Sequence, residues 1–147
     1  MVDEITPSDM EALPEVAVWN LVFLAHPREH WWDFLTPEPW RHVCAFGYAN
    51  GRWIVYDAGD TRSQIMVMNS YQFDMWFDTK RERVTDIVRV RVNNDAGLTG
   101  RLGLWCVTAV KHLAGIRSSA LRPRALHRDL IRSGCERVPY GHEGAKG

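Results

Sequence analysis

Arg41-His42-Val43-Cys44-Ala45-Phe46-Gly47-Tyr48-Ala49-Asn50-Gly51-Arg52-Trp53-Ile54-Val55-Tyr56-Asp57-Ala58 is the stretch whose reading decides the fold. Two apolar segments, His42–Ala49 and Arg52–Ala58, flank Asn50-Gly51. A two-residue type I′ turn needs positive φ at both central positions, and Asn-Gly is the pair that meets this need at least cost. The segments are therefore read as a β-hairpin with Ala49 facing Arg52. Continued backwards, the ladder sets Cys44 opposite Asp57 and His42 opposite Gly59. Alternation then puts His42, Cys44, Phe46 and Tyr48 on one side with Trp53, Val55 and Asp57, and Asp57 lies diagonally from His42.

Working outward, Val16 to Ala25 is an apolar run of strand length broken only by Asn20, which suits a strand buried on both faces. Gln64–Met68 reads as a further strand, Tyr71–Thr79 as a short helix, and Val84–Val92 as another strand. Asn93 to Gly103 has no apolar run and reads as a loop, and His26 to Trp40, with Pro27, Pro37 and Pro39 around an aromatic cluster, as a loop or short helix. Leu104 to Leu113 reads as a helix ended by Gly115. Pro123 to Ser133 reads as a second, with Pro123 in its first turn and Gly134 at its stop. The expected architecture is α+β: an antiparallel sheet packed against a cysteine-bearing helix. One domain is expected over 16–139, with an acidic arm over 1–15 and a disordered tail over 140–147.

At 147 residues, 46% hydrophobic and with seven Trp, the chain can bury a core without disulfides or metal. No stretch approaches the roughly 20 apolar residues of a membrane span, and the start Met-Val-Asp-Glu-Ile lacks a basic signal-peptide region, so no membrane association is expected. Cys44, Cys106 and Cys135 are odd in number and widely spaced, which favours free thiols over a disulfide framework. Net charge is zero but uneven: residues 1–40 hold eight acids against one Arg, and residues 101–138 eight bases against two acids. The two ends packing on each other explains this better than an anionic partner.

The chemistry-bearing residues follow from this layout. A carboxylate accepting from one ring nitrogen fixes the tautomer of a histidine and frees the other nitrogen to move a proton, the role open to Asp57 and His42. Cys106 opens the helix after the loop ending at Gly103, where exposed N–H groups and the positive helix end favour thiolate over thiol. The backbone N–H of Cys106 is a candidate oxyanion donor, with the second donor unassigned among His26, His30, Trp40 and the indoles. Cys106 is thus the candidate nucleophile, His42 the base and Asp57 the orienter.

Blander readings stand beside this one. Cys106 among Leu104, Trp105, Val107 and Val110 can be a small core residue, His42 a satisfied strand histidine, and Asp57 a turn cap before Ala58-Gly59-Asp60. Cys44 lacks a helix-end field and is expected in the core, with Cys135. His42, Cys44, Asp57 and Cys106 include metal-ligand types but no close ligand pair, so no metal and no cofactor is expected. Arg117, Arg122, Arg124, Arg128 and Arg132, with Lys111, form a solvated helix face more readily than a nucleic-acid site. Trp31, Trp32, Phe34 and Trp40 suit a core or interface better than a cleft.

Arg41-His42-Val43, Trp53-Ile-Val-Tyr-Asp57 and Leu104-Trp-Cys106-Val-Thr-Ala-Val-Lys111-His-Leu-Ala-Gly115-Ile, in that order, resemble the circularly permuted papain-like hydrolases related to the NlpC/P60 group. The resemblance spans residues of about 40–135, and Pro123 to Ser133 resembles the segment that follows the cysteine helix in bacteriophage and prophage members. It implies an acyl transfer through a thioester on a peptide or amide substrate, in a bacterial cytoplasm or a virion. The alternative it leaves is an inactive papain-like fold serving as a phage virion or host-interaction protein with a protein partner. The chain departs from the family in lacking the Asn-Cys-Glu-His type motif of its lipid acyltransferase branch and a papain-like Gln.

Overall fold

In the computed structural model, which describes residues 15–25, 40–59, 62–94 and 106–140, the chain is α+β. Six strands, β1 (Val18–Ala25), β2 (Trp40–Ala49), β3 (Arg52–Ala58), β4 (Ser63–Met68), β5 (Val84–Arg91) and β6 (Glu136–Arg137), form one sheet in the order β4-β3-β2-β1-β5-β6. Every neighbouring pair is antiparallel. Among the described residues three helices accompany it: α1 (Ser70–Lys80), α2 (Cys106–Ala114) and α3 (Pro123–Arg132). The expected arm and the tail beyond Tyr140 lie outside the described residues. Tyr140, the last described residue, donates from its hydroxyl to the Val84 carbonyl at 2.9 Å and packs on the domain.

β1 is the strand around which the two cores form. Leu21 and Phe23 point to one face, where they meet Val43, Ala45, Val88, Val107, Val110, Leu126 and Leu130. Val22 and Leu24 point to the other, against Cys44, Phe46, Val55, Phe73 and Ile87. A strand covered by α2 and α3 on one side and α1 on the other has no face for water, which is why its sequence is a continuous apolar run rather than an alternating one.

The hairpin forms as its turn residues require. Asn50 and Gly51 have φ of 49° and 73°, and the ladder pairs Ala49 with Arg52, Tyr48 with Trp53, Phe46 with Val55 and Ala45 with Tyr56. α1 begins one residue earlier and ends one later than Tyr71–Thr79. Its start is set by a capping box in which the Asn69 side chain accepts from the Gln72 N–H and the Gln72 side chain accepts from the Asn69 N–H. The indole of Trp53 stacks on Phe73 at 4.2 Å, pinning α1 beneath β3.

The two later helices stop where expected. α2 ends in a Schellman turn, with the Ile116 N–H bonded to the Lys111 carbonyl at 2.9 Å and Gly115 at φ 64°. α3 ends likewise, Cys135 N–H to Leu130 carbonyl at 3.0 Å. Pro123 opens α3 as its first residue, and the described part of α2 begins at Cys106, its expected start at Leu104 falling outside the described residues. Two elements were not foreseen: β6, a two-residue strand after α3, and the single 3-10 turn Arg81–Arg83 joining α1 to β5. Trp40, expected at the end of a loop or short helix, is the first residue of β2.

At Gly115 a β-carbon would collide with the backbone carbonyl of Asn93, in addition to the left-handed backbone. Gly115→Ala should therefore cost at least about 2 kcal/mol. A urea-unfolding midpoint equal to that of the wild type would show that this turn tolerates a side chain.

Candidate active site

The β1–β2 register breaks where the site lies. Leu24 pairs with His42 but Ala25 pairs with Trp40, so Arg41 is an extra residue on β2. Such a bulge bends its strand and re-aims a side chain. Its effect is visible in the packing, because Trp40 and Val43, three apart, both reach the α2/α3 core. The bulge is fastened from outside, where Nε of Arg83 donates to the Ala25 carbonyl at 3.0 Å.

The two faces of the hairpin belong to different cores. Cys44, Phe46, Trp53 and Val55 do share a face, but it is the one that α1 covers, whereas α2 packs on the opposite face with Val43, Ala45, Ile54 and Tyr56. Alternation would separate His42 from the cysteine helix. They meet nonetheless at the end of the sheet, beside the bulge, where His42 hydrogen-bonds the Cys106 side chain.

His42 Nε2 bonds the Asp57 carboxylate Oδ1 at 2.6 Å, across the diagonal expected from the hairpin register. With that nitrogen occupied, Nδ1 is the ring atom left for Cys106. His42 and Asp57 side chains are 16% and 19% exposed, so the pair is largely withdrawn from water while keeping an opening to it.

The charges at this corner reinforce one another. Burial disfavours a charged imidazole, but the hydrogen bond to Asp57, then that to Cys106, then the negative charge of each, overcome it and push His42 up to about 9. Burial likewise works to raise the Asp57 carboxyl. The His42 hydrogen bond and charge, aided by Lys80 and Arg83, outweigh it and hold Asp57 below the usual carboxylate range. At neutral pH the ring is thus an imidazolium held between the Asp57 carboxylate and the Cys106 side chain.

The other sequence candidates separate cleanly. Cys44 is wholly buried, and burial pushes its thiol up, so it is core as expected. Cys135, also expected in the core, is only half-buried at its margin. No group of His, Cys, Asp and Glu among the described residues has metal-site geometry. Arg122, Arg124, Arg128 and Arg132 are exposed on and beside α3. His26, His30, Trp31, Trp32, Phe34, Leu104 and Trp105 lie outside the described residues.

One polar cluster was missed. Asp86 on β5 accepts from His127 Nε2 at 2.6 Å, from Arg137 Nε at 2.7 Å and from its neighbour's Ile87 N–H at 2.9 Å. Asp86 and His127 are buried, and Trp40 meets the His127 ring edge-on at 4.4 Å. The signal in the sequence was the single acid within Val84-Thr-Asp-Ile-Val-Arg-Val. The cluster joins β5, β6 and α3.

Comparison of the chain with protein-family models, curated proteins and solved structures finds no match in any of the three.

Iodoacetamide should alkylate Cys106 at least about tenfold faster than Cys135, with Cys44 inert in the folded protein, and His42→Ala should remove the advantage. Equal rates at Cys106 and Cys135, read by peptide mass spectrometry, would show that the sulfur is not activated. Because the His42 pKa is raised on folding, its charge stabilises the fold fully below the ordinary value of 6.5, and that stability is lost as pH climbs through about 9. The loss, on the order of 3 kcal/mol, should shrink in His42→Gln when urea midpoints are compared at pH 6 and pH 10. The same decline in both proteins would assign it to other groups.

Proposed function

We propose that the chain is a thiol hydrolase, an amidase or peptidase, on a permuted papain-like fold of the NlpC/P60-related kind. The single observation that carries this reading is His42 bonded at once to Asp57 and to the first described residue of a helix, Cys106. The order of parts along the chain, histidine strand, carboxylate strand, cysteine helix, supports the family reading.

The reaction runs in two halves. The Cys106 sulfur, its proton taken by His42, attacks the carbonyl carbon of an amide, and the carbonyl electron pair moves onto oxygen. When the carbonyl re-forms, the C–N bond breaks and His42 delivers the proton to the departing amine, leaving a thioester on Cys106. Water then attacks the thioester with His42 again as base. The C–S bond breaks, the carboxylic acid leaves and the thiol is restored. Asp57 stays ionised throughout, holding the ring and balancing its positive charge. The backbone N–H of Cys106 is the proposed oxyanion donor, and the helix dipole favours the same charge.

Cys106→Ala should abolish turnover of N-acyl anilide substrates, and Asp57→Asn should lower kcat by about 10- to 10⁴-fold while leaving the fold intact. Acid quenching during turnover should trap an acyl adduct on Cys106, visible by mass spectrometry. Turnover that survives Cys106→Ala, or a panel of acyl amides that neither turns over nor acylates the protein, would leave a scaffold with a vestigial triad as the better reading.

A further inference from the structure

The two edges of the sheet are built differently. At one edge stands β6, two residues long and charged at both, Glu136 and Arg137, on a neighbour whose own register breaks between Phe23 and Leu24 with Thr85 as the extra residue. A short, charged, irregular edge resists pairing with another strand. The opposite edge, β4, is Ser63-Gln-Ile-Met-Val-Met68, with no charge, no proline and an unbroken six-pair ladder to β3. Among the described residues nothing pairs with its outer side.

Exposed apolar surface gathers at the same place. Of the seven large hydrophobic residues that are exposed among the described residues, four (Ile65, Val67, Tyr71 and Met75) fall within one short stretch of β4 and α1. Ile65 and Val67 are 70% and 63% exposed and sit beside their β3 partners Tyr56 and Ile54, on the face that α2 covers only farther along the sheet. Met66 and Met68 point to the other face, towards α1.

From these features we propose that β4 is a homodimerisation edge, where two copies of the chain pair antiparallel about a two-fold axis to make a continuous sheet of twelve strands. An axis through Met66 sets Ile65 of one copy opposite Val67 of the other and Gln64 opposite Met68. Opposed residues then share a face, as a two-fold normal to the sheet demands, and no like charges meet. The apolar pair from each copy closes over the seam. An extended substrate peptide is the competing occupant, and distance disfavours it. A strand added outside β4 lies about 14 Å from β2, which carries His42, far beyond the ~3.5 Å at which a carbonyl can be attacked. The proposal is independent of the hydrolase reading.

The seam is small, so the dimer should dissociate on dilution. Sedimentation equilibrium of the full chain from about 1 to 200 µM should show the mass rising from 16.9 kDa toward twice that value. Ile65→Lys and Val67→Lys, whose side chains already face water in the single chain, should weaken association more than tenfold and leave the circular dichroism spectrum unchanged. Hydrogen exchange of residues 63–68 should slow as concentration rises, while that of residues 136–137 should not. A wild-type chain that remains monomeric to 200 µM overturns the proposal. So does a dimer that survives both lysines, or one whose protected amides lie elsewhere.

Discussion

Two residues with left-handed backbone, Asn50 and Gly51, admit one register for β2 and β3, and the geometry of the site descends from that constraint. Because side chains alternate along a strand, a slip of one residue would turn Val55, Phe46 and Cys44 out of their core and put the Asp57 carboxylate on the wrong face. The register is therefore held from both ends, by the turn and by the packing of Trp53 and Phe46 on Phe73. Asp57 lands within hydrogen-bond reach of His42 as a consequence of packing in the strands that carry them.

The bulge at Arg41 adds what a regular hairpin lacks. A flat ladder would commit its face-sharing residues to one side of the sheet, yet Asp57, His42 and Cys106 must meet although Cys106 belongs to a helix on the other side from Cys44. Bending β2 at its first residues brings them together at the sheet's end. The second break, at Thr85, lies across β1 from the first, so both neighbours of Leu24 are irregular. One irregular strand leads to the His42 site and the other to the buried Asp86–His127–Arg137 cluster, with Trp40 and Phe23 packed on His127 in between. In both places a carboxylate is stabilised by a histidine and by nearby cationic side chains, which offsets the cost of withdrawing charge from water.

Several features were legible from local chemistry alone. Asn-Gly named the turn, Gly115 and Gly134 named the helix stops, and the apolar run ending at Ala25 named a strand covered on both faces, since each depends on neighbours in sequence. The His42–Asp57 diagonal was legible too, because a two-residue turn fixes register by counting. What escaped were contacts between distant segments: the face on which α2 packs, the closing strand β6, and the Asp86 cluster, whose partners lie 41 and 51 residues away. The bulge also escaped, because it is defined by β1 and cannot be found by counting along the hairpin.

The amino-acid sequence by itself determined the α+β composition, the hairpin register and the identity of the residues suited to thiol chemistry, all of which rest on short-range backbone preferences and residue type. Tertiary structure alone decided that the sulfur of Cys106 meets the ring of His42, and that the ring carries a charge there. The meeting depends on the bend in β2, and the charge on the Asp57 carboxylate and the Cys106 side chain that the fold sets against the ring, which outweigh the burial opposing it. Those are long-range packing and electrostatic effects, and they exist only once the chain has closed on itself.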